Sequence, residues 1–195
     1  MSMWLNGTYG DCVTAEEAFT KACHHVKPEI FITDETVKAW ATKNGVLDGT
    51  DLTTVLQLMQ NDGFSQDGKV YNDGKYFSVD WTNASVLRNA ISRGPVKIGV
   101  AAAQLESAVP NPPTNGWIAT GFQPDSNMDH CVSLCGFGPM GWLATELGST
   151  WDNSLDGSTP ALALYTWDSI GIVDYPSMLA ITGEAWLRTP PTVIQ

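Results

Sequence analysis

The sequence predicts an α+β fold, with helices gathered in the first third and strands in the rest. Two observations predict it. Before about residue 67, apolar residues recur at three- and four-residue spacing, and the breaks between them carry helix caps and stops. From Gly68 onward the apolar runs are short, aromatic and β-branched, and glycine and proline punctuate them. A chain of 195 residues with 43% hydrophobic content buries a substantial core. It is expected to form a single domain, with residues 1–67 as a helical lobe and 68–195 as a β lobe.

The first helix is predicted over 11–25. Ala15, Ala18, Phe19, Ala22 and Cys23 form one apolar stripe, Asp11 is a good N-cap, and Thr14 and Glu16 favour the first turn. Pro28 stops it, and His24 and His25 suit its C-terminal end. A second helix starts at Thr33 or Asp34, carries Val37, Trp40 and Ala41 inward, and ends at Gly45. The third is capped by Thr50 or Asp51, turns Val55, Leu56, Leu58 and Met59 inward, and ends before Gly63.

Strands follow at 69–71 and 76–81, with Asn72-Asp73-Gly74 as a hairpin turn. Asn83 caps a short helix, Gly94-Pro95 breaks it, and 96–100 is a strand. The prolines at 110, 112 and 113 mark a surface excursion over 108–123. The strand at 128–138 sets His130, Val132 and Leu134 on one face and Cys131, Ser133 and Cys135 on the other. An inserted loop or hairpin is expected at about 139–160, then strands at 161–167 and 170–173, an apolar closing segment at 177–186 and a Pro-rich tail.

Composition narrows the function. With 21 acidic and 10 basic residues, a net charge of -11, the balance argues against binding a phosphate backbone, which needs a basic face, so no nucleic-acid partner is expected. No apolar run approaches the roughly 20 residues of a membrane span. Met1 to Leu5 lack the basic region and apolar stretch of a signal peptide. Four cysteines without a C-x-x-C pair, and adjacent His24 and His25, give neither a disulfide scaffold nor a metal site, and no cofactor is expected.

Chemistry concentrates at two places. Cys12 sits where a helix begins, beside backbone amides without acceptors, which favours the thiolate. The bland reading makes it a small buried hydrophobe. His130 lies on a strand of the second lobe, where it is either a satisfied core histidine or a catalytic base. A helix-start cysteine facing a strand histidine is what a thiol hydrolase needs: the histidine takes the thiol proton and later protonates the leaving group. A side-chain amide and the cysteine N–H hold the oxyanion.

These residues resemble a known family. Asn6-Gly7-Thr8-Tyr9-Gly10-Asp11-Cys12 resembles the papain-family pattern Gln-Gly-Ser-Cys-Gly-Ser-Cys around the nucleophile. The stretch from Met128-Asp129-His130 to Gly136-Phe137-Gly138-Pro139 resembles that family's histidine strand, and 85–100 resembles its helix and Pro-Val strand between the two. The Tyr-Gly-Asp-Cys-Val form is also similar to papain-like proteins of bacteria and their phages. The resemblance implies an N-terminal helical lobe with the cysteine at a helix start and an antiparallel β lobe or half-barrel. It implies Cys12 as nucleophile, His130 as general base and acid, and Asn6 in the oxyanion position, one methylene shorter than the family's glutamine. Trp167 would shield the site. Tyr165 stands where the family has the asparagine that orients the histidine, so Asp168, Asp129 and Asn153 are the candidates for that task. Tyr9 replaces the family's disulfide cysteine, which fits a reducing compartment; the expected location is the cytoplasm, or a virion if the protein is phage-encoded. The motif begins six residues from Met1, leaving no pro-segment ahead of it, which favours a narrow substrate, a self-limited role or no proteolysis. Two functions result. One is a thiol hydrolase cleaving a peptide or related amide, with a peptide or protein as substrate. The other is a weak or inactive papain-fold component of an assembly, for example a phage particle, with a protein partner.

Overall fold

Helix α1 (Cys12–His24) is buried on every side along most of its length. The computed structural model describes residues 1–24, 30–149 and 154–189, with the backbone of 192–194; His25 and Asn153 lie outside the described residues. Val13 through Lys21 are all buried, not only the apolar stripe that the spacing predicts. Val13, Ala15, Ala18 and Phe19 pack with Trp4, Val37, Trp40, Val55 and Met59 in one core. The last four of these belong to α2 (Asp34–Asn44) and α3 (Leu52–Asn61). Both boundaries of α2 follow the sequence: Thr33 Oγ1 accepts from the Thr36 N–H, and Gly45 stops the helix at φ 69°.

Next come β1 (Phe64–Gln66), β2 (Lys69–Asn72) and β3 (Tyr76–Ser78), then α4 (Ala84–Ile91), β4 (Val96–Val100), α5 (Ala103–Ala108) and β5 (Ile118–Ala119). The chain continues through β6 (His130–Pro139), α6 (Met140–Glu146), β7 (Pro160–Thr166), β8 (Ser169–Asp174), α7 (Tyr175–Ile181), β9 (Thr182–Arg188) and β10 (Thr192–Ile194). Seven strands form the main sheet in the order β3-β9-β4-β6-β7-β8-β5, and β1-β2-β10 form a smaller one. Every neighbouring pair is antiparallel except β5 with β8. The architecture is α+β, as the sequence predicts.

Three expectations change. The hairpin turn is Asp67-Gly68, whose positive φ values of 52° and 73° are those of a tight primed turn, and it joins β1 to β2. Asn72-Asp73-Gly74 instead carries the chain from the small sheet to the large one, because β3 pairs with β9. The 139–160 stretch holds α6, where Met140, Leu143 and Ala144 bury themselves on Ala161, Ala163 and Ile172. The Pro-rich tail contributes β10 to the small sheet.

The large sheet is buried on both faces where it meets the helices. Val132 and Leu134 of β6 and Leu162 and Leu164 of β7 share a core with Leu87, Leu105 and Ile181. The opposite face turns Cys131 and Tyr165 into the core around α1. Between α1 and the sheet lie six charged side chains, Glu16, Glu17 and Lys21 of α1, Asp73, Lys97 of β4 and Arg188 of β9, none more than 5% exposed. Arg188 forks onto Glu16 at 2.6 and 2.9 Å and reaches Glu17 at 2.6 Å. Lys97 Nζ lies 2.8 Å from both glutamates, and Lys21 pairs with Asp73. Three acids face three cations, so the cluster is neutral as a whole.

Burial alone would raise the Glu16 and Asp73 carboxyls, yet Arg188 and Lys97 beside Glu16, and Lys21 and Arg188 beside Asp73, hold both below their ordinary range. Such groups stabilise the fold fully above their unfolded values near pH 4, and the contribution is lost as pH falls through their lower folded values. Replacing Arg188 by Met leaves Glu16 and Glu17 short of a cation. The expected cost at pH 7 is about 3–5 kcal/mol, read from the urea midpoint, and it shrinks when the carboxylates are protonated in acid.

Candidate active site

Residues from the chain start, from the loop after α2 and from β4, β6 and β9 of the large sheet line one cavity of about 530 Å³. Asn6, Cys12, Asp129, His130 and Trp167 all line it. The sequence-predicted residues are therefore together, apart from Asp168, which is exposed in the β7–β8 turn and does not line the cavity, and Asn153.

Asn6 is presented by a turn that Trp4 anchors. Trp4 is fully buried and its Nε1 donates to the Ile32 carbonyl at 2.6 Å. Trp4 and Leu5 take left-handed φ values of 45° and 70°, strained for such side chains, and the Leu5 carbonyl accepts from Thr8 and Tyr9. Cys12 is the first residue of α1 and is half-buried. Asp11, the expected cap, opens the helix with its backbone carbonyl, which accepts from Thr14 and Ala15 at 2.9 Å. Its side chain caps nothing: it is 1% exposed and neither carboxyl oxygen has a hydrogen-bond partner. Burial, with Asp34 and Asp48 adding to it, pushes that carboxyl up to about 7.

His130 opens β6 and is 8% exposed. Its Nε2 pairs with Thr166 Oγ1 at 2.8 Å, and the Trp167 ring stacks on it, centroids 4.3 Å apart at 8°. Thr166 was not among the candidates for this position. The expected ones are placed otherwise: Asp129 accepts from the Ala102 N–H at 2.8 Å and from Asn127 Nδ2 at 2.7 Å, so its carboxylate fixes the adjoining backbone. Tyr165 faces the opposite way, stacked on Phe19 at 4.2 Å, with its hydroxyl donating to the Ser2 carbonyl. Strand alternation explains the exchange. Leu162 and Leu164 share a face with Val132 and Leu134, and Thr166 continues that face to the end of β7, where His130 sits. Trp167 and Asp168 then form a two-residue turn at φ 42° and 59°, which lays the indole over the imidazole.

Electrostatics corrects the thiolate expectation. Burial raises the Cys12 thiol above its ordinary value, against the opposing pull of the Cys131 N–H and Lys97. Burial likewise pushes His130 down to about 4, with Asp129 opposing. Desolvation outweighs the helix terminus, so the resting pair at neutral pH is thiol and neutral imidazole. Among the described residues, no group of three or more His, Cys, Asp or Glu could hold a metal ion, and no helix is long and apolar enough to cross a membrane. Alkylation of Cys12 by iodoacetamide, followed by mass spectrometry, is expected to accelerate about tenfold per pH unit from pH 6 to 8, because only the rising thiolate fraction reacts. A plateau across that range would indicate a preformed thiolate.

No protein-family model and no curated protein matches the chain. Solved structures do. The ragweed pollen allergen Amb a 11, a cysteine protease in its proform, superposes with a TM-score of 0.64 at 11% identity, over 93% of this chain and 59% of that one. Bromelain from Ananas comosus, in complex with the E64 inhibitor, gives 0.63 at 14% identity over 97% and 94%. The Carica candamarcensis cysteine protease CMS1MS2, in complex with E-64, gives 0.62 at 13% over 94% and 90%. The chain thus spans little more than half of the ragweed proform and nearly all of bromelain. At such identities the likeness is one of fold, and the fold of this chain is that of the papain-like cysteine proteases.

Proposed function

We propose that the protein is a thiol hydrolase that cleaves a peptide or related amide bond through an acyl-enzyme on Cys12. One observation carries the reading: Cys12 and His130 line one cavity, with the histidine held through Nε2 by Thr166 and covered by Trp167. With Nε2–H donating to Thr166, His130 Nδ1 keeps its lone pair as the base. It takes the Cys12 proton as the sulfur attacks the carbonyl carbon, and the carbonyl π electrons move to oxygen. Asn6 Nδ2 and the Cys12 N–H donate to that oxyanion. Nδ1–H then protonates the departing amine as the C–N bond breaks. Water, deprotonated by the same nitrogen, releases the acid and restores the thiol. A His130 that rests neutral is ready to accept the proton, and the imidazolium it forms is transient.

Thr166 is a positioning residue here. Its hydroxyl oxygen accepts from Nε2–H in both the neutral and the protonated ring, so one contact holds the imidazole while Nδ1 gains and loses its proton. The structural-component reading is not favoured: Tyr165 leaves the family's orienting position without an amide, but Thr166 pairs with His130 in its stead. A fluorogenic peptide library assayed with purified protein tests the proposal. Cys12→Ala should abolish turnover, and Thr166→Ala should lower kcat by about 10–100-fold with KM little changed, with Thr166→Ser recovering most of the loss. Wild-type rates in Cys12→Ala, or native protein in which an epoxide probe leaves Cys12 unmodified, would reject it.

A further inference from the structure

The cavity that holds Cys12 and His130 carries charge of one sign. Among the described residues, Asp48, Glu106, Asp129 and Glu184 line it, and no lysine or arginine does. Lys97 and Lys38 touch lining residues without lining the cavity themselves. Lys97 donates to the Val13 carbonyl but is sealed in the paired cluster beneath, and exposed Lys38 rests on the Tyr9 ring at 4.9 Å.

Glu184 is the most deliberately built of the four acids. It is half-buried on β9, and Trp186 Nε1 donates to its Oε2 at 2.6 Å, which fixes the carboxylate and leaves Oε1 as an acceptor. It stands opposite Gly99 of β4, where a Cβ would come within 3.0 Å of its Cγ and 3.3 Å of Oε1. The side chain therefore lies across the bare backbone of Gly99, and both residues line the cavity. Asp48 approaches from the α2–α3 loop, so carboxylates stand on both walls.

We infer that this cleft selects cationic substrates, namely peptides with Lys or Arg side chains close to the scissile bond, with Glu184 as the principal acceptor. The inference rests on the thiol-hydrolase reading for the reactive centre. A fixed acceptor oxygen in a partly desolvated wall favours a guanidinium or ammonium and repels an acidic side chain.

Charged thiol reagents separate the two claims without relying on turnover. Purified protein is treated with the trimethylammonium-ethyl, sulfonatoethyl and methyl methanethiosulfonates, and modification of Cys12 is followed by mass spectrometry. At low salt the cationic reagent should react about tenfold faster than the anionic one, and high salt should narrow the gap. Glu184→Gln and, separately, Glu106→Gln should each reduce that ratio about two- to threefold. Glu146→Gln, an exposed acid of α6 outside the cavity, should leave it unchanged. In the peptide assay, Arg-containing substrates should exceed their Glu counterparts in kcat/KM by about tenfold or more. Equal rates for the two charged reagents, or a ratio that Glu146→Gln changes as much as Glu184→Gln does, would overturn the inference while leaving the thiol reading intact. Failure of even the neutral methyl reagent to reach Cys12 would overturn both.

Discussion

The structure depends on six charges sealed between α1 and the main sheet. Glu16, Glu17 and Lys21 come from the helix, and Asp73, Lys97 and Arg188 from three separate parts of the chain that close on it. Removing them from water is costly, and paired replacements by apolar residues often match or exceed such clusters in stability. Their value here is geometric. An apolar face tolerates sliding or rotation of a helix by part of a turn, whereas a forked Arg188–Glu16 contact at 2.6 and 2.9 Å does not. The cluster fixes where α1 sits on the sheet and how it is rotated.

The candidate site inherits that precision. Lys97, inside the cluster, also donates to the Val13 carbonyl at 2.7 Å, so the sheet grips the first turn of α1 one residue beyond Cys12. Two strands away from β4, the alternation of β7 delivers Thr166 to His130, and its neighbour Tyr165 holds the chain start through Ser2. Cys12, His130 and Asn6 are thus placed by different contacts that all refer back to one sheet. The buried Asp11 carboxyl, unpartnered beside Cys12, is the counter-example: it is a cost the local fold carries and adds negative charge beside the thiol when ionised.

Much of this was legible in the sequence, for physical reasons that can be named. Thr33 and Gly45 bound α2 because caps and left-handed stops act within a few residues. Cys12 at a helix start and His130 on a strand were readable from local pattern, and their neighbourhoods carried the resemblance that the fold bears out. Thr166 was not readable in the same way. Aligning it by spacing from Trp167 selects Tyr165, and only the strand's alternation, anchored by Leu162 and Leu164, turns Thr166 toward the histidine. The sequence offers Glu16 only as a residue favouring the first turn, because Arg188, which neutralises it, is 172 positions away. The Asp67-Gly68 turn was overshadowed by Asn72-Asp73-Gly74, since β1 offers only Phe64 as an apolar signal.

If the charge cluster is what poises Cys12, its influence should be measurable at the sulfur itself. The direct measurement is the pH profile of Cys12 alkylation in Lys97→Met beside the wild type, with the fold of both checked by circular dichroism. Loss of the nearby ammonium and of its bond to Val13 should move the profile to higher pH and slow the reaction at pH 8 about tenfold. Superposable profiles in two folded proteins would contradict the account, leaving the cluster a fastening of the fold with no hold on the site.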